Sequence, residues 1–185
     1  MKRLTDIVLA SLALLGLLPL APFLALAILA ESRGPVIFKQ KRVGRNGRFF
    51  QIYKLRTMRA GTPNLPTDQM LNLPSPITRV GAILRKTSLD EIPQLFNVLT
   101  GDMSLVGPRP ALYNQTALTA MREEAGVLEF APGITGWAQI NGRDELPDET
   151  KVELDKWYCQ NWNYWLDWRI ILSTFGAVLS KRGAF

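Results

Sequence analysis

The sequence contains no histidine and a single cysteine, Cys159. The first absence excludes a Ser-His-Asp or Cys-His nucleophile, an imidazole general base and the zinc sites that depend on histidine. The second excludes an intramolecular disulfide and any cysteine cluster for zinc or iron–sulfur, and gives no sign of an oxidising compartment. Catalysis by this chain therefore falls to carboxylates, amines, guanidiniums, hydroxyls or a hard metal ion held by oxygen. Acidic residues are also missing from Arg33 to Arg59, where nine Lys or Arg occur with no Asp or Glu. A net charge of +6 suits nucleic acid, anionic lipid or a phosphorylated substrate. Because the basic run directly abuts the most apolar part of the chain, no nucleic-acid partner is expected.

The 185 residues hold one domain of ordinary size plus a membrane element. Ile7 to Ala30 is a run of 24 residues without a charge. As a helix it is about 36 Å long, enough to cross a hydrocarbon core of about 30 Å. Lys2 and Arg3 precede it and the cationic stretch follows it, so the positive-inside rule keeps both ends on the cytoplasmic side. That requires the segment to turn back within the membrane, and Pro19 and Pro22 near its middle supply the break. The expectation is a re-entrant helical hairpin over residues 1–32, with residues 33–185 forming a catalytic domain on the cytoplasmic face. A straight spanning helix and a signal peptide cleaved near Ala25-Leu26-Ala27 are the competing readings.

Downstream, VIFKQKRV and RFFQIYKL flank Asn46-Gly47, a strong hairpin signal, and predict two antiparallel strands. Their cations are either solvated, drawn to anionic headgroups or, for Lys54 and Arg56, able to reach a phosphate. Ala60 to Pro76 holds four prolines and reads as a loop, either an active-site flap or a plain surface loop. Ile77, Val80 and Leu84 predict a short helix. Asp148 to Gln160 predicts a longer one, and a last helix from about Asp167 to Lys181 is expected to lie along the membrane surface. Four of the five tryptophans fall between Trp157 and Trp168. Such a cluster either packs a core or sits at headgroup level, and beside a membrane-inserted segment the second is favoured. The fold class expected is α+β: a small β-hairpin with several helices.

The chemistry concentrates in Leu84 to Pro110, LRKTSLDEIPQLFNVLTGDMSLVGPRP, which brings two adjacent carboxylates, flanking cations and a Gly-Pro-Arg-Pro turn together. Ile92, Leu95, Phe96 and Leu99 have the spacing of one buried helical face, and Gly101 is a natural stop. Ser88 and Glu91 have capping-box spacing, but that start puts Pro93 where an N–H is needed. With Asp90 as N-cap, Pro93 falls where no donor is required, so a helix from about Asp90 to Thr100 is predicted. Asp90 is then either only a cap beside a solvated Glu91, or part of a phosphate-handling site screened by Arg85, Lys86, Arg109 or a divalent metal.

This segment resembles the central motif of the bacterial sugar transferases, the monotopic phosphoglycosyl transferases. The resemblance runs from Lys2 to about Thr174 and includes KRLTDI, GPVIFKQKRVG, FQIYKLRTM, TSLDEIPQLFNVLTGDMSLVGPRP and PGITGWAQINGR. It implies that Asp90 and Glu91 are a catalytic dyad, with Asp90 the nucleophile and Glu91 its partner, and that Arg85, Arg109 and Arg143 hold phosphate. The competing reading of Arg109 and Arg143 is a surface salt bridge. The resemblance implies a membrane helix broken at a proline; where the family has Ser-Pro, this chain has Leu18-Pro19 with Pro22 added. It further implies a monotopic protein of the bacterial inner membrane that moves sugar 1-phosphate from a UDP-sugar to a polyprenyl phosphate such as undecaprenyl phosphate, releasing UMP, through a covalent aspartyl intermediate. Mg2+, or Mn2+, held by Asp90, Glu91 and phosphate oxygens, would offset the charge. The rival reading is a non-catalytic membrane-surface protein that recruits acidic lipid or a partner. Nothing in the sequence fixes an oligomeric state.

Overall fold

The computed structural model describes residues 1–62, 76–142 and 146–179. It is an α+β fold that begins with α1 (Lys2–Leu17), a single 3-10 turn (Leu18–Leu20) and α2 (Ala21–Glu31). Both prolines sit in the first turn of the element they open, Pro19 in the 3-10 turn and Pro22 in α2, where a missing N–H costs little. The interruption therefore falls where the prolines place it. Backbone angles at Leu17 and Leu18 stay helical, so the chain tightens there without unwinding. From Lys2 to Glu31 the chain is long and apolar enough to cross a membrane. Its apolar side chains face outward, Leu12 at 61% and Phe23 at 69% exposure among them.

Next comes the predicted hairpin. β1 (Ile37–Val43) and β2 (Phe49–Leu55) pair antiparallel with Val43 opposite Phe49 and Ile37 opposite Leu55. Asn46 and Gly47 both take positive φ, 55° and 72°, as a tight reversal between right-twisted strands demands. Residues 63–75, which hold most of the expected loop, lie outside the described residues. Helix α3 (Arg79–Thr87) is capped by Thr78, whose Oγ1 accepts from Gly81 N at 2.9 Å. Gly81 is required: a Cβ there would lie 2.0 Å from the carbonyl oxygen of Thr57 at the end of the hairpin.

Between α3 and α4 (Gln94–Thr100) the structure departs from expectation. Ser88 closes α3 in the left-handed conformation, and Leu89–Glu91 form a 3-10 turn. Asp90 is therefore not an N-cap, and Pro93 occupies that position. The reason lies in a tertiary anchor. Asn97, fully buried, accepts from Tyr53 N at 3.1 Å and donates to Gln51 O at 2.8 Å, seating α4 on the edge of β2. Leu95, Asn97 and Val98 are buried and Ile92 and Leu99 pack against the same core, so of the predicted face Phe96 alone turns outward, at 54% exposure. Gly101, at φ 97°, ends the helix as expected.

β3 (Ser104–Val106) pairs parallel with β4 (Gly133–Thr135), a strand inside what the sequence presents as a shaped loop. A Cβ on Gly133 would meet Gly107 N at 2.1 Å, so the backbones touch. The remaining helices are α5 (Thr116–Glu124), α6 (Trp137–Ile140), α7 (Asp148–Asn161) and α8 (Tyr164–Leu179). α8 starts three residues before the expected Asp167, whose carboxylate accepts from Tyr158 Oη at 2.7 Å, Trp162 Nε1 at 3.0 Å and Lys2 Nζ at 2.5 Å. The aromatic cluster divides: Tyr158 is core, packed with Val106, Leu166 and Ile170, whereas Trp165 is 83% exposed and Trp168 42%. The arms of the apolar segment pack chiefly on different helices, α1 on α4 and α2 on α3. Each arm is thus held by a different part of the domain.

Candidate active site

The 3-10 turn brings Asp90 and Glu91 to the meeting point of α3, α4 and β2. Asp90 is 8% exposed. Glu91 Oε1 is 2.8 Å from Lys54 Nζ, supplied by β2, and 3.8 Å from Arg109 Nη1, supplied by the Gly-Pro-Arg-Pro turn. Arg85, on the last turn of α3, donates Nε to Thr57 Oγ1 at 3.0 Å and is close enough to act on the Asp90 charge. Five predicted site residues thus converge: Asp90, Glu91, Lys54, Arg85 and Arg109.

Arg56 does not join them. Its buried guanidinium donates to Arg33 O at 2.8 Å and to Ser32 O, fastening the chain after α2 to the end of β2. Lys54 is held within β2 and reaches Glu91 in the 3-10 turn, whereas Arg56 lies one residue past the strand, where side chains i and i+2 no longer need to share a face. Arg143 lies outside the described residues.

Three residues that the sequence did not single out build the site from behind. Asn97 sets α4 on β2 and so places Glu91 opposite Lys54. Arg122 on α5 donates Nη1 to Arg109 O at 2.7 Å and Nη2 to Asp155 Oδ2 at 2.6 Å, with Asp155 supplied by α7. Arg42 Nη1 donates to Pro110 O at 2.9 Å, so two arginines hold the Gly-Pro-Arg-Pro backbone. No local signal reveals these pairs, because each joins residues far apart in sequence.

Electrostatics separates the two carboxylates. Burial pushes Asp90 up to about 6, with Glu91 adding to the rise and Lys54 and Arg85 opposing it. Burial also pushes Glu91 up, but Lys54 and Arg109 outweigh it and hold the carboxyl at about 2. Gln94, 2% exposed, lies beside Glu91 and adds to that pull, while no group meets full hydrogen-bond geometry at its Nε2. Glu91 is a fixed anion, and Asp90 is a carboxylate whose charge is poorly solvated, the state that favours bond formation to an electrophile. The described residues hold no cluster of three or more carboxylate, thiol or imidazole groups for a metal. The chemistry of two neighbouring carboxylates suits a magnesium ion, whose remaining oxygen ligands would have to come from outside the described residues.

The turn thus gathers a buried Asp90 and a partly buried Glu91 among Lys54, Arg85 and Arg109, in a chain whose N-terminal segment is long and apolar enough to cross a membrane. The chain belongs to the bacterial sugar transferase family, whose profile matches residues 1–181. It is 44% identical, over its whole length, to an undecaprenyl-phosphate glucose phosphotransferase of Komagataeibacter xylinus, of which it spans 37%. It is 42% identical to the UDP-glucose:undecaprenyl-phosphate glucose-1-phosphate transferase of Escherichia coli K12, over 98% of this chain and 41% of that enzyme. It is also 42% identical to the uncharacterized sugar transferase EpsL of Bacillus subtilis, over 99% of this chain and 89% of that protein.

Proposed function

We propose that this chain is a phosphoglycosyl transferase that moves sugar 1-phosphate from a UDP-sugar to undecaprenyl phosphate or a similar polyprenyl phosphate. A carboxylate oxygen of Asp90 attacks the β-phosphorus, the bond from that phosphorus to the bridging oxygen breaks, and UMP leaves with the bond's electron pair. A phosphate oxygen of the lipid acceptor then attacks the same phosphorus, the aspartyl oxygen–phosphorus bond breaks, and polyprenyl diphosphate-sugar is released. Glu91, Lys54 and Arg109 form the wall that orients the pyrophosphate, and Arg85 steadies Asp90 from the α3 side. Mg2+ or Mn2+, bound by the dyad carboxylates, supplies charge neutralisation at the pyrophosphate. The observation that carries the reading is the division of the dyad into a cation-held Glu91 and a poorly solvated Asp90. A protein that only recruits acidic lipid has no use for such a division. The apolar segment inserts from the cytoplasmic face and returns to it, which places a soluble donor and a membrane-held acceptor at one site.

The test is a panel of UDP-sugars labelled at the β-phosphorus, given to the full chain in detergent without acceptor. One sugar phosphate should appear on a peptide containing Asp90 and be discharged by undecaprenyl phosphate. Asp90→Asn should lower UMP release by about a thousandfold or more. EDTA should abolish release, and magnesium should restore it. An adduct on Glu91, or an active Asp90→Asn enzyme, overturns the assignment. Labelling of a cysteine placed at position 2 by a membrane-impermeant reagent outside intact cells would overturn the re-entrant topology.

A further inference from the structure

The apolar segment ends in two charged residues that grip the catalytic helices. Glu31, the last residue of α2, accepts from Arg79 N through Oε1 and from Val80 N through Oε2, both at 2.7 Å. These are the first two amides of α3, donors without an intrahelical partner at the positive end of its dipole. Arg3, in the first turn of α1, donates Nη1 to Val98 O and Nη2 to Leu99 O at 2.8 Å. These carbonyls belong to the last turn of α4, at its negative end. An acid therefore closes the start of one helix and a base the end of the next, each matched to the local dipole. The inner ends of the same two helices are joined by the turn that carries Asp90 and Glu91.

Each grip is reinforced. Beside Glu31, Arg56 holds the carbonyls of Ser32 and Arg33. Beside Arg3, Asp6 accepts from Ser104 Oγ at 2.8 Å and from Leu105 N at 3.2 Å, and Ala10 is fully buried in the core cluster with Leu95 and Val98 of α4. Glu31 and Arg3 bond to the backbones of α3 and α4, so whatever they do for the dyad passes through those helices.

We propose that Glu31 and Arg3 are positioning residues that clamp the outer ends of α3 and α4, so that the shape of the membrane segment between them sets the geometry of the Leu89–Glu91 turn. The bend at Leu18–Leu20 then acts at the dyad through two rigid levers. Seating the apolar segment in a bilayer is part of assembling the site.

The experiment is hydrogen–deuterium exchange on the full chain in nanodiscs, comparing wild type with Glu31→Gln and Arg3→Gln. The amides of Glu91 and Ile92, bonded to Ser88 O at 3.2 Å and Leu89 O at 3.3 Å, report the turn. The amide of Val43 in β1, bonded to Ala111 O at 2.9 Å and packed in a core cluster apart from α3 and α4, reports overall stability. α3 keeps its Thr78 cap in Glu31→Gln, so that variant retains a folded helix start. Each variant should speed exchange at Glu91 and Ile92 about tenfold while Val43 is unchanged, and Glu31→Asp should fall between Gln and wild type. Acceleration confined to Arg79–Gly81 or to Val98–Gly101 overturns the clamp, and so does a uniform rise that includes Val43. A kinetic arm rests on the proposed transfer. With UDP-glucose, or whichever UDP-sugar wild type turns over, kcat should fall about five- to tenfold with KM unchanged, and an unchanged kcat overturns the clamp. Wild type inactive on every UDP-sugar would refute the transfer reaction instead, leaving the exchange result to decide the clamp.

Discussion

Two ion-pair groups flank the Gly107–Pro110 turn, and each sets a carboxylate against cationic side chains. In front, Glu91 meets Lys54 at 2.8 Å and Arg109 at 3.8 Å, with side chains 17% to 38% exposed. Behind, Arg122 meets Asp155 at 2.6 Å, with 5% and 1% exposed. The rear arginine is committed, one nitrogen to a carboxylate and one to the Arg109 carbonyl. The front cations retain exposure and a longer reach, so they are able to meet a second anion. Burial, and not the kind of charge, separates the pair that fixes the backbone from the group open to a further anion. Burial raises Asp155 despite Arg122, and the buried pair gains little over an apolar replacement. Its value lies in the carbonyl it holds.

Breaking the rear pair should have the largest effect on stability. Arg122→Ala leaves Asp155 buried without a partner and should cost about 3–5 kcal/mol, read as a fall in unfolding temperature. Arg122→Met combined with Asp155→Leu should recover much of that stability, because no charge remains buried. It should not recover turnover, since nothing then holds the Arg109 carbonyl. A double variant with wild-type rates would reduce the rear pair to scaffold and erase the contrast.

Asp90 tests the front side with a smaller effect of opposite sign. Its pKa is about 6 in the folded chain against 3.8 for the ordinary group, so the folded state holds the proton longer and stability falls as pH rises from about 4 through 6. Asp90→Asn removes that penalty. At pH 7.5 the variant should be more stable than wild type by about 2–3 kcal/mol, and at pH 4 the two should converge. The same ionisation should give the first chemical step an acidic limb near pH 6. An Asp90→Asn protein that melts at or below wild type at pH 7.5 would show that the carboxylate is solvated after all.

How much of this was legible in the sequence follows from the range of the forces involved. The hairpin around Asn46-Gly47, the stop at Gly101, α3 and α7 rest on local backbone preference, and each lies close to where its residues predict. The start of α4 does not, because Asn97 binds a strand some 45 residues away and seats the helix on it. Arg56 and Lys54 are indistinguishable as letters, yet one ends up under carbonyls and the other against Glu91. Arg122, Asp155, Glu31 and Arg3 carry no local signal: their partners are chosen by packing. Asp90 and Glu91 stood out in the sequence because they sit in one contiguous motif, and the structure sets them side by side in one turn.

Arg109 gives the smallest expected change in stability and sharpens the front side most. Its guanidinium is 38% exposed and stands 3.8 Å from Glu91, too long for a strong charge-assisted hydrogen bond. An exposed pair of this kind is worth about 0–1 kcal/mol, so Arg109→Gln should barely move the unfolding temperature. Lys54→Met, which removes the closer partner of Glu91 at 2.8 Å, should destabilise more, because the partly buried Glu91 then keeps only the more distant of these two cations. Turnover should not follow that order. If Arg109 leaves Glu91 to hold the donor's pyrophosphate, Arg109→Gln loses a bidentate contact and should raise KM for the UDP-sugar about tenfold or more, with stability intact. Arg109→Lys should restore only part of it, since a point charge replaces a planar fork. Parallel losses in melting temperature and KM across the two variants would mean that Arg109 serves Glu91 and not the substrate.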